Sequence, residues 1–361
     1  MAAPTLSEHT FTHSGDLTTF YWSAGPTDGP LLIFIHGWPA NGETWKPQLL
    51  ALAALGFRTI APDCRGYGRS SVPPAATATD VRAYAIERHV SDMLALLQHL
   101  GRQKALWIGH DWGAGLVWGF AEQHPECCVG VTCMAVPYGV LTGGLEGLVA
   151  LSNREIYPAD KYPYAQWDYQ VFHATNPALS AKLLAANVPN TVKALYQAGD
   201  PAHYGKPSFT AAMTTNGGWW YGKEEAPETP LEDTLLSADK GLYERLVADF
   251  EKNGFEGPDA YYLNHDVNRE YSRKAPSGGH LHFPVLFIEA RYDVVCDTAI
   301  SRLSEPMRER CTNLTETSID SGHWVALEKP AETNAAIVRW IATKLPTYFP
   351  GYWKSPFASQ S

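Results

Sequence analysis

Short apolar runs alternate along this chain with segments whose apolar residues recur at helical spacing. Such runs, bounded by glycine, proline and polar turns, are typical of strands buried in a sheet. The alternation predicts an α/β fold, with a mostly parallel sheet flanked by helices. The first two predicted strands form a hairpin and the others lie in the core: residues 10–13, 18–23, 31–35, 58–61, 105–108, 129–136, 284–288 and 313–319.

Three segments are predicted to be helices. Apolar residues between 86 and 100, and again between 337 and 345, mark one face of an amphipathic helix. A further helix is predicted over 114–122, directly after the strand at 105–108. These helices cover the faces of the predicted sheet.

The alternation stops between residues 138 and 280, where proline, tyrosine and tryptophan become frequent. We therefore expect an inserted, largely helical cap between the sixth and seventh strands. This divides the chain into a first core part at residues 1–137, the cap at 138–280 and a second core part at 281–361.

An aspartate occupies the centre of Gly109-His110-Asp111-Trp112-Gly113. The pattern Gly-x-nucleophile-x-Gly is typical of a strained strand-to-helix turn that exposes one side chain above a sheet. A carboxylate that attacks an alkyl carbon forms an ester, and water can attack the carbonyl of that ester. Asp111 therefore indicates hydrolysis at an alkyl carbon, and not at an amide or a simple ester.

Two backbone N–H groups are candidates for stabilising an oxyanion at this turn. The sequence His36-Gly37-Trp38-Pro39 follows the third predicted strand, and a tight turn there would aim the N–H of Trp38 at the developing charge. The second donor would be the N–H of Trp112, the residue after the nucleophile. We expect Trp38 and Trp112 to form an oxyanion hole.

Residues 63–70 follow the fourth predicted strand and are rich in glycine. They lack the third glycine of a dinucleotide-binding fingerprint. We interpret this segment as a structural loop and not as a phosphate-binding one.

An acid and a base follow the last two predicted strands. Asp293 comes just after the strand at 284–288, and His323 follows the last strand. The order nucleophile, acid, base is that of α/β-hydrolase triads, in which the acid orients the imidazole of the base. We assign Asp293 as the acid, with the nearby Asp297 as the alternative.

Charge and cysteine content exclude several classes of partner. The chain has 361 residues and a net charge of −10, without long runs of lysine or arginine, which argues against nucleic acid and anionic membranes. Its apolar runs are too short to cross a bilayer.

Six cysteines form no Cys-x-x-Cys motif or disulfide framework, so we expect a reduced, cytoplasmic protein. His280 and His282 have no partners at metal-ligand spacing, so we expect no metal site.

These motifs together resemble those of the α/β-hydrolase-fold epoxide hydrolases, and the resemblance covers nearly the whole chain. It implies the α/β-hydrolase fold and the hydrolysis of a small apolar epoxide to a vicinal diol. It further implies an alkyl-enzyme ester on Asp111 and no metal or organic cofactor. The motifs that carry it are His36-Gly37-Trp38-Pro39, Asp63-x-Arg65-Gly66-Tyr67-Gly68-x-Ser70, Gly109-His110-Asp111-Trp112-Gly113 and Gly322-His323-Trp324.

Epoxide hydrolases of this family use two cap tyrosines to hydrogen-bond the epoxide oxygen. The segment around Tyr169 resembles the one that carries the first, and the segment that ends in Tyr261-Tyr262 resembles the one that carries the second. The resemblance therefore assigns Tyr169 and Tyr262, with Tyr261 as the substitute for Tyr262. Tyrosine has a reference pKa near 10, so it stays protonated at neutral pH and can donate. The chain departs from the family pattern in extra cap segments around 190–222.

Two other functions remain as alternatives. Haloalkane dehalogenases share much of this pattern, but many of them place an asparagine directly after His-Gly to hold the halide, where this chain has Trp38. The indole N–H of Trp112 could still donate to a halide. A ligand receptor that kept the fold is a different class, and an intact nucleophile, acid and base argue against it.

Overall fold

Eight strands form a single sheet in the part of the chain that the computed structural model describes, which is residues 3–75, 77 and 80–351. The strand order is β1-β2-β4-β3-β5-β6-β7-β8. The first strand pairs antiparallel with the second and the second antiparallel with the fourth, and all other neighbours are parallel. The predicted mostly parallel sheet is therefore confirmed. The strands are β1 Ser7–His13, β2 Leu17–Ala24, β3 Leu31–Ile35, β4 Arg58–Pro62, β5 Ala105–His110, β6 Cys128–Met134, β7 Val285–Ala290 and β8 Leu314–Ile319.

Helices and short 3-10 turns connect the strands. The helices of the described residues are α1 Lys46–Ala54, α2 Ile86–His99, α3 Trp112–Gln123, α4 Val140–Leu151, α5 Asp168–Thr175, α6 Pro177–Ala185, α7 Val188–Leu195, α8 Lys240–Asn253, α9 Glu256–Asp259, α10 His265–Ser272, α11 Glu305–Arg310, α12 Val325–Glu328 and α13 Pro330–Lys344. In this part of the chain, no helix is both long and apolar enough to cross a bilayer.

The inner strands β3, β4, β5, β6 and β7 are buried on both faces, which explains why they are largely apolar runs. Successive side chains of a strand point to opposite faces, so Ile33 and Ile35 of β3 belong to one apolar cluster and Leu32 and Phe34 to another. Helices α2 and α3 contribute side chains to the first cluster, and α1 and α13 to the second. The fold is the α/β-hydrolase fold, a sheet between two layers of helices.

Several predicted boundaries were wrong by a few residues. Strand β6 ends at Met134, before the predicted end at 136, because Ala135 has a φ of 63° and cannot continue an extended strand. Strand β5 extends to His110 because Gly109 and His110 still pair with β6. Helix α3 begins at Trp112, two residues earlier than predicted.

The described residues between β6 and β7 form helices α4 to α10 and short 3-10 turns. This insertion packs on the loops that follow the carboxyl ends of the core strands. The Trp38 indole donates to Asp259, and the Tyr261 hydroxyl donates to the carbonyl oxygen of Arg65, at 3.1 and 2.8 Å. The space between insertion and core is therefore bounded by the ends of β3, β4 and β5.

Candidate active site

Asp111 lies at a sharp turn between β5 and α3. Its backbone has φ 55° and ψ −127°, a region that costs a non-glycine residue about 1–3 kcal/mol. The turn fits closely against β3, since a Cβ on Gly113 would collide with the carbonyl oxygens of Ile35 and His36. Glycine is therefore required at 113, and the turn presents the Asp111 carboxyl group to the space under the insertion.

The loop after β3 supplies a donor to this carboxyl group. The N–H of Trp38 donates to Asp111 Oδ1 at 2.7 Å. His36 holds the loop in place, because its Nε2 accepts from the N–H of Cys64 at 2.9 Å and its Nδ1 contacts the Gly37 carbonyl oxygen. Trp112 is the first residue of α3, so its N–H has no partner within that helix. Of the two predicted oxyanion donors, the Trp38 N–H contacts the Asp111 carboxyl group directly, and Trp112 directly follows Asp111 in the chain.

His323 lies between two carboxylates. Its Nδ1 is 2.8 Å from Asp293 Oδ2, and its Nε2 is 3.5 Å from Asp111 Oδ2. The other oxygen of Asp293 accepts from the N–H groups of Val295 and Cys296, at 2.8 and 3.0 Å. The structure therefore brings Asp111, His323 and Asp293 together in the predicted arrangement, and the loop after β7 fixes the acid.

The charges at this site shift the pKa values of His323 and Asp293. Burial by itself lowers the pKa of His323, but the carboxylates of Asp293 and Asp111 outweigh it and raise that pKa to about 10. Burial by itself would raise the pKa of Asp293, but His323 and the two backbone N–H groups lower it. Asp293 is therefore held as a carboxylate, which suits it to orient the imidazole.

The alternative acid, Asp297, has a different partner. Its Oδ1 accepts from Gln166 Nε2 at 2.6 Å, and burial together with the charge of Asp293 raises its pKa to about 7. Asp293, and not Asp297, is the carboxylate that contacts His323 Nδ1.

Tyr169 of α5 and Tyr262 lie side by side above Asp111, with ring centroids 5.4 Å apart. Both are almost fully buried, at 5% and 2% exposure. Burial, and then the nearby charges, raise the pKa of both phenols above the ordinary value. Both side chains therefore keep their protons at neutral pH. The substitute candidate, Tyr261, instead directs its hydroxyl to the Arg65 carbonyl oxygen.

A cavity of about 750 Å³ is lined by both tyrosines together with Asp111, Trp38 and His323. Much of its remaining wall comes from residues between 194 and 227 of the insertion. A second cavity of about 50 Å³ is also lined by Asp111 and Tyr169. We refer to these as the wide cavity and the inner pocket.

His280 and His282 lie side by side, with ring centroids 6.4 Å apart. Across the described ranges, no group of three or more His, Cys, Asp or Glu side chains could hold a metal ion.

Comparison with known proteins places this architecture in a family. The α/β hydrolase fold family model matches residues 30–330. The chain is 32% identical over 321 residues to bifunctional epoxide hydrolase 2 of Sus scrofa, covering 87% of this chain and 52% of that protein. It is 30% identical over 347 residues to epoxide hydrolase B of Mycobacterium tuberculosis, covering 87% of this chain and 91% of that protein. The chain belongs to the α/β-hydrolase-fold epoxide hydrolases. It spans about half the length of the mammalian relatives.

A solved structure shows the same architecture. The crystal structure of epoxide hydrolase A from Mycobacterium thermoresistibile superposes with a TM-score of 0.71 at 26% sequence identity, covering 94% of this chain and 99% of that one. The insertion is therefore included in the similarity to the epoxide hydrolase structure.

In this member of the epoxide hydrolase family, sequence reasoning missed a buried polar pair behind the site. His173 stacks flat on Tyr262 with ring centroids 4.5 Å apart, and its Nδ1 is 3.3 Å from Asp259 Oδ2. The other oxygen of Asp259 accepts from the Trp38 indole at 3.1 Å. One signal was available, because His173 is four residues after Tyr169 and thus lies on the same face of α5.

Sequence reasoning also missed the contact between Gln170 and Tyr169. Gln170 Nε2 donates to the Tyr169 hydroxyl oxygen at 3.1 Å. Because the phenol oxygen accepts this bond, the phenol proton is left to point elsewhere. No spacing rule reveals such a contact, since neighbouring residues of a helix do not normally face each other.

Proposed function

We propose that this protein hydrolyses an epoxide to a vicinal diol through a covalent ester on Asp111. The observation that carries the proposal is a carboxylate at the strained turn, with one oxygen on the Trp38 N–H and two protonated phenols above it. A carboxylate nucleophile suits an alkyl carbon, and the phenols suit a leaving group that stays attached as an oxygen.

Ring opening is the first step. The epoxide lies between Asp111 and the two phenols, and Asp111 Oδ2 attacks one ring carbon from the side opposite the ring oxygen. The C–O bond of the ring breaks as the new ester bond forms. Tyr169 and Tyr262 hydrogen-bond the leaving oxygen, and one of them transfers its proton to the alkoxide.

Ester hydrolysis is the second step. His323, oriented by Asp293, takes a proton from water, and the resulting hydroxide attacks the ester carbon of Asp111. The oxyanion forms on Oδ1, which already accepts from the Trp38 N–H. Where it has been measured, such a donor contributes about 2.7–4 kcal/mol. The acyl C–O bond then breaks, the diol leaves with the proton from His323, and the carboxylic acid of Asp111 passes its proton to His323, which restores the resting charges.

The division of the chain into core and cap follows the same argument. We propose that residues 138–280 act as the cap that closes the epoxide against Asp111, because they contribute both phenols. The proposed steps use only groups of the protein and water. All six cysteines are free, which supports the expected location in the reducing cytoplasm.

The dehalogenase alternative is weaker. The Trp38 indole N–H, at the position where many dehalogenases hold the halide, is already donated to Asp259. A halide would also need no proton, so two buried phenols beside the leaving group would serve no purpose. The arrangement favours an oxygen leaving group.

A single turnover in heavy-oxygen water tests the ester. Enzyme in excess over an epoxide such as styrene oxide is quenched and digested, and the peptide with Asp111 is weighed. We expect the heavy oxygen in the Asp111 carboxylate and the ordinary oxygens in the diol. A labelled diol with an unlabelled Asp111 would show direct attack by water and overturn the covalent route. Halide release from haloalkanes without diol from epoxides would favour the dehalogenase.

A further inference from the structure

The wide cavity and the inner pocket both reach the nucleophile, and they differ greatly in size. Their volumes are about 750 and about 50 Å³, and both are lined by Asp111, Tyr169 and Val295. An epoxide held at Asp111 therefore has one substituent in a spacious cavity and the other in a confined one.

The inner pocket admits only a small group. A water molecule needs roughly 10–15 Å³ of such volume, so the pocket has room for about three to five non-hydrogen atoms. Much of its wall is apolar, with Val136, Val140, Leu148 and Trp167. A phenyl ring is too large for it, whereas a two-atom substituent fits.

Three polar side chains line the same pocket with an unpaired buried atom each. These atoms are Gln170 Oε1, His265 Nε2 and Asn268 Nδ2. Gln170 and Asn268 are nine-tenths or more buried, at 6% and 3% exposure. An unpaired buried group of this kind is unusual, because most such groups in native proteins have a partner.

The hydrogen bonds that these side chains already make determine which of their donors and acceptors remain free. Gln170 Nε2 is bound to the Tyr169 hydroxyl, and Asn268 Oδ1 accepts from the N–H of Ile86 at 2.9 Å. Gln170 is thus left with a free acceptor and Asn268 with a free donor. Burial lowers the pKa of His265 to about 4, so the ring is neutral, with one nitrogen that donates and one that accepts.

A hydroxyl group meets these needs, because it donates its one proton to Gln170 Oε1 while its two lone pairs accept from Asn268 Nδ2 and from His265 Nε2 in the tautomer that carries a proton there. We propose that the inner pocket binds a small hydroxyl-bearing substituent of the substrate. The preferred substrate class is an epoxide with a hydroxymethyl group on one ring carbon and a larger apolar group on the other. This inference rests on the proposed epoxide hydrolysis and adds a specificity determinant to it.

Two epoxides of nearly equal shape test the proposal. In trans-3-phenylglycidol the small arm is hydroxymethyl, and in trans-2-ethyl-3-phenyloxirane it is ethyl, so one OH replaces one methyl. The phenyl ring must occupy the wide cavity in both. We expect kcat/KM for diol formation to favour the hydroxymethyl epoxide by about 5- to 150-fold, since the ethyl group leaves buried donors and acceptors unpaired.

A matched pair of variants separates recognition from intrinsic reactivity. His265→Phe removes the unpaired ring nitrogen from the inner pocket, and His203→Phe makes the same change in the wall of the wide cavity, where the His203 side chain is 68% exposed. In His265→Phe we expect the preference to fall at least fivefold, with the ethyl epoxide equally good or better. In His203→Phe the ratio of the two substrates should stay as in the unaltered protein.

Leu148→Phe provides a test that does not depend on His265. Filling the inner pocket should slow both disubstituted epoxides while sparing styrene oxide, which has no second substituent. Equal kcat/KM for the two matched epoxides, or an equal loss of both in His265→Phe, would show that the pocket holds only water and would overturn the inference. Absence of diol from every epoxide would instead refute the proposed function itself.

Discussion

The buried pair behind the active site leads to a prediction with a definite sign and size. Asp259 is 2% exposed, and its two oxygens face the Trp38 indole N–H and His173 Nδ1. Replacing Asp259 with leucine removes the acceptor of the Trp38 indole N–H, whereas His173 Nδ1 keeps its hydrogen bond with Ser180 Oγ at 3.0 Å. Leaving one buried donor without an acceptor costs about 1–3 kcal/mol, so the free energy of unfolding should fall by about that amount.

The double variant Asp259→Leu/Trp38→Phe should recover part of this loss. The second substitution removes the indole N–H that the first leaves unpaired, and replacing both partners of a buried hydrogen bond by apolar groups can be nearly neutral. The double variant should therefore be more stable than Asp259→Leu alone, although it shortens a buried aromatic side chain.

Urea unfolding followed by far-ultraviolet circular dichroism measures these differences, with equal slopes required for the comparison. The single variant Trp38→Phe completes the double-mutant cycle. A loss below about 1 kcal/mol in Asp259→Leu, or a double variant no more stable than that single one, would refute the reasoning. The diol-forming rate should fall in Asp259→Leu, because Trp38 also supplies the backbone donor to Asp111.

Three further changes probe the reaction itself. His323→Gln should still form the ester but hydrolyse it about 10²- to 10⁴-fold more slowly. Intact-protein mass spectrometry should then show the protein with the added mass of the epoxide, and an unmodified protein would contradict this. Tyr169→Phe should slow ring opening, and Tyr169→Phe/Tyr262→Phe should slow it further, while the circular dichroism spectrum stays unchanged. Near-normal single-turnover rates would show that neither tyrosine takes part in the reaction. Gly37→Ala places a methyl group against Asp111, and because overpacking costs about 1–3 kcal/mol, both the melting temperature and kcat should drop. An unaltered kcat would argue that the reaction does not require the Asp111 carboxylate to be held in this position.

The sequence predicts the sheet well where strands are buried on both faces. Strand β3 matches the predicted 31–35 at both ends because all five of its residues are apolar and buried. Strand β1 begins at Ser7, three residues before the prediction, because it is an edge strand with largely exposed polar side chains. Its extended form comes from pairing with β2, and no apolar pattern in the sequence predicts that pairing.

The site residues at strand ends were also accessible from the sequence. Parallel strands bring their carboxyl ends to one edge of the sheet, so Asp111, Asp293 and His323 could be placed together from order alone. The choice between Tyr261 and Tyr262 could not be made this way. Both are buried on the same short turn, and only the packing of the insertion on the core decides which phenol faces the cavity.

In the reaction that we propose, the charge on Asp111 decides when His323 can act as a base. In the resting site two carboxylates face the imidazole and raise its pKa to about 10, so at neutral pH the ring is protonated and cannot accept a proton from water. Ring opening converts Asp111 into a neutral ester and removes one of those two charges. The pKa of His323 then falls, and the proton that the ring releases can restore the phenol that protonated the alkoxide. His323 therefore becomes a base only once the ester that water must attack has formed, while Asp293 remains charged and keeps the ring oriented.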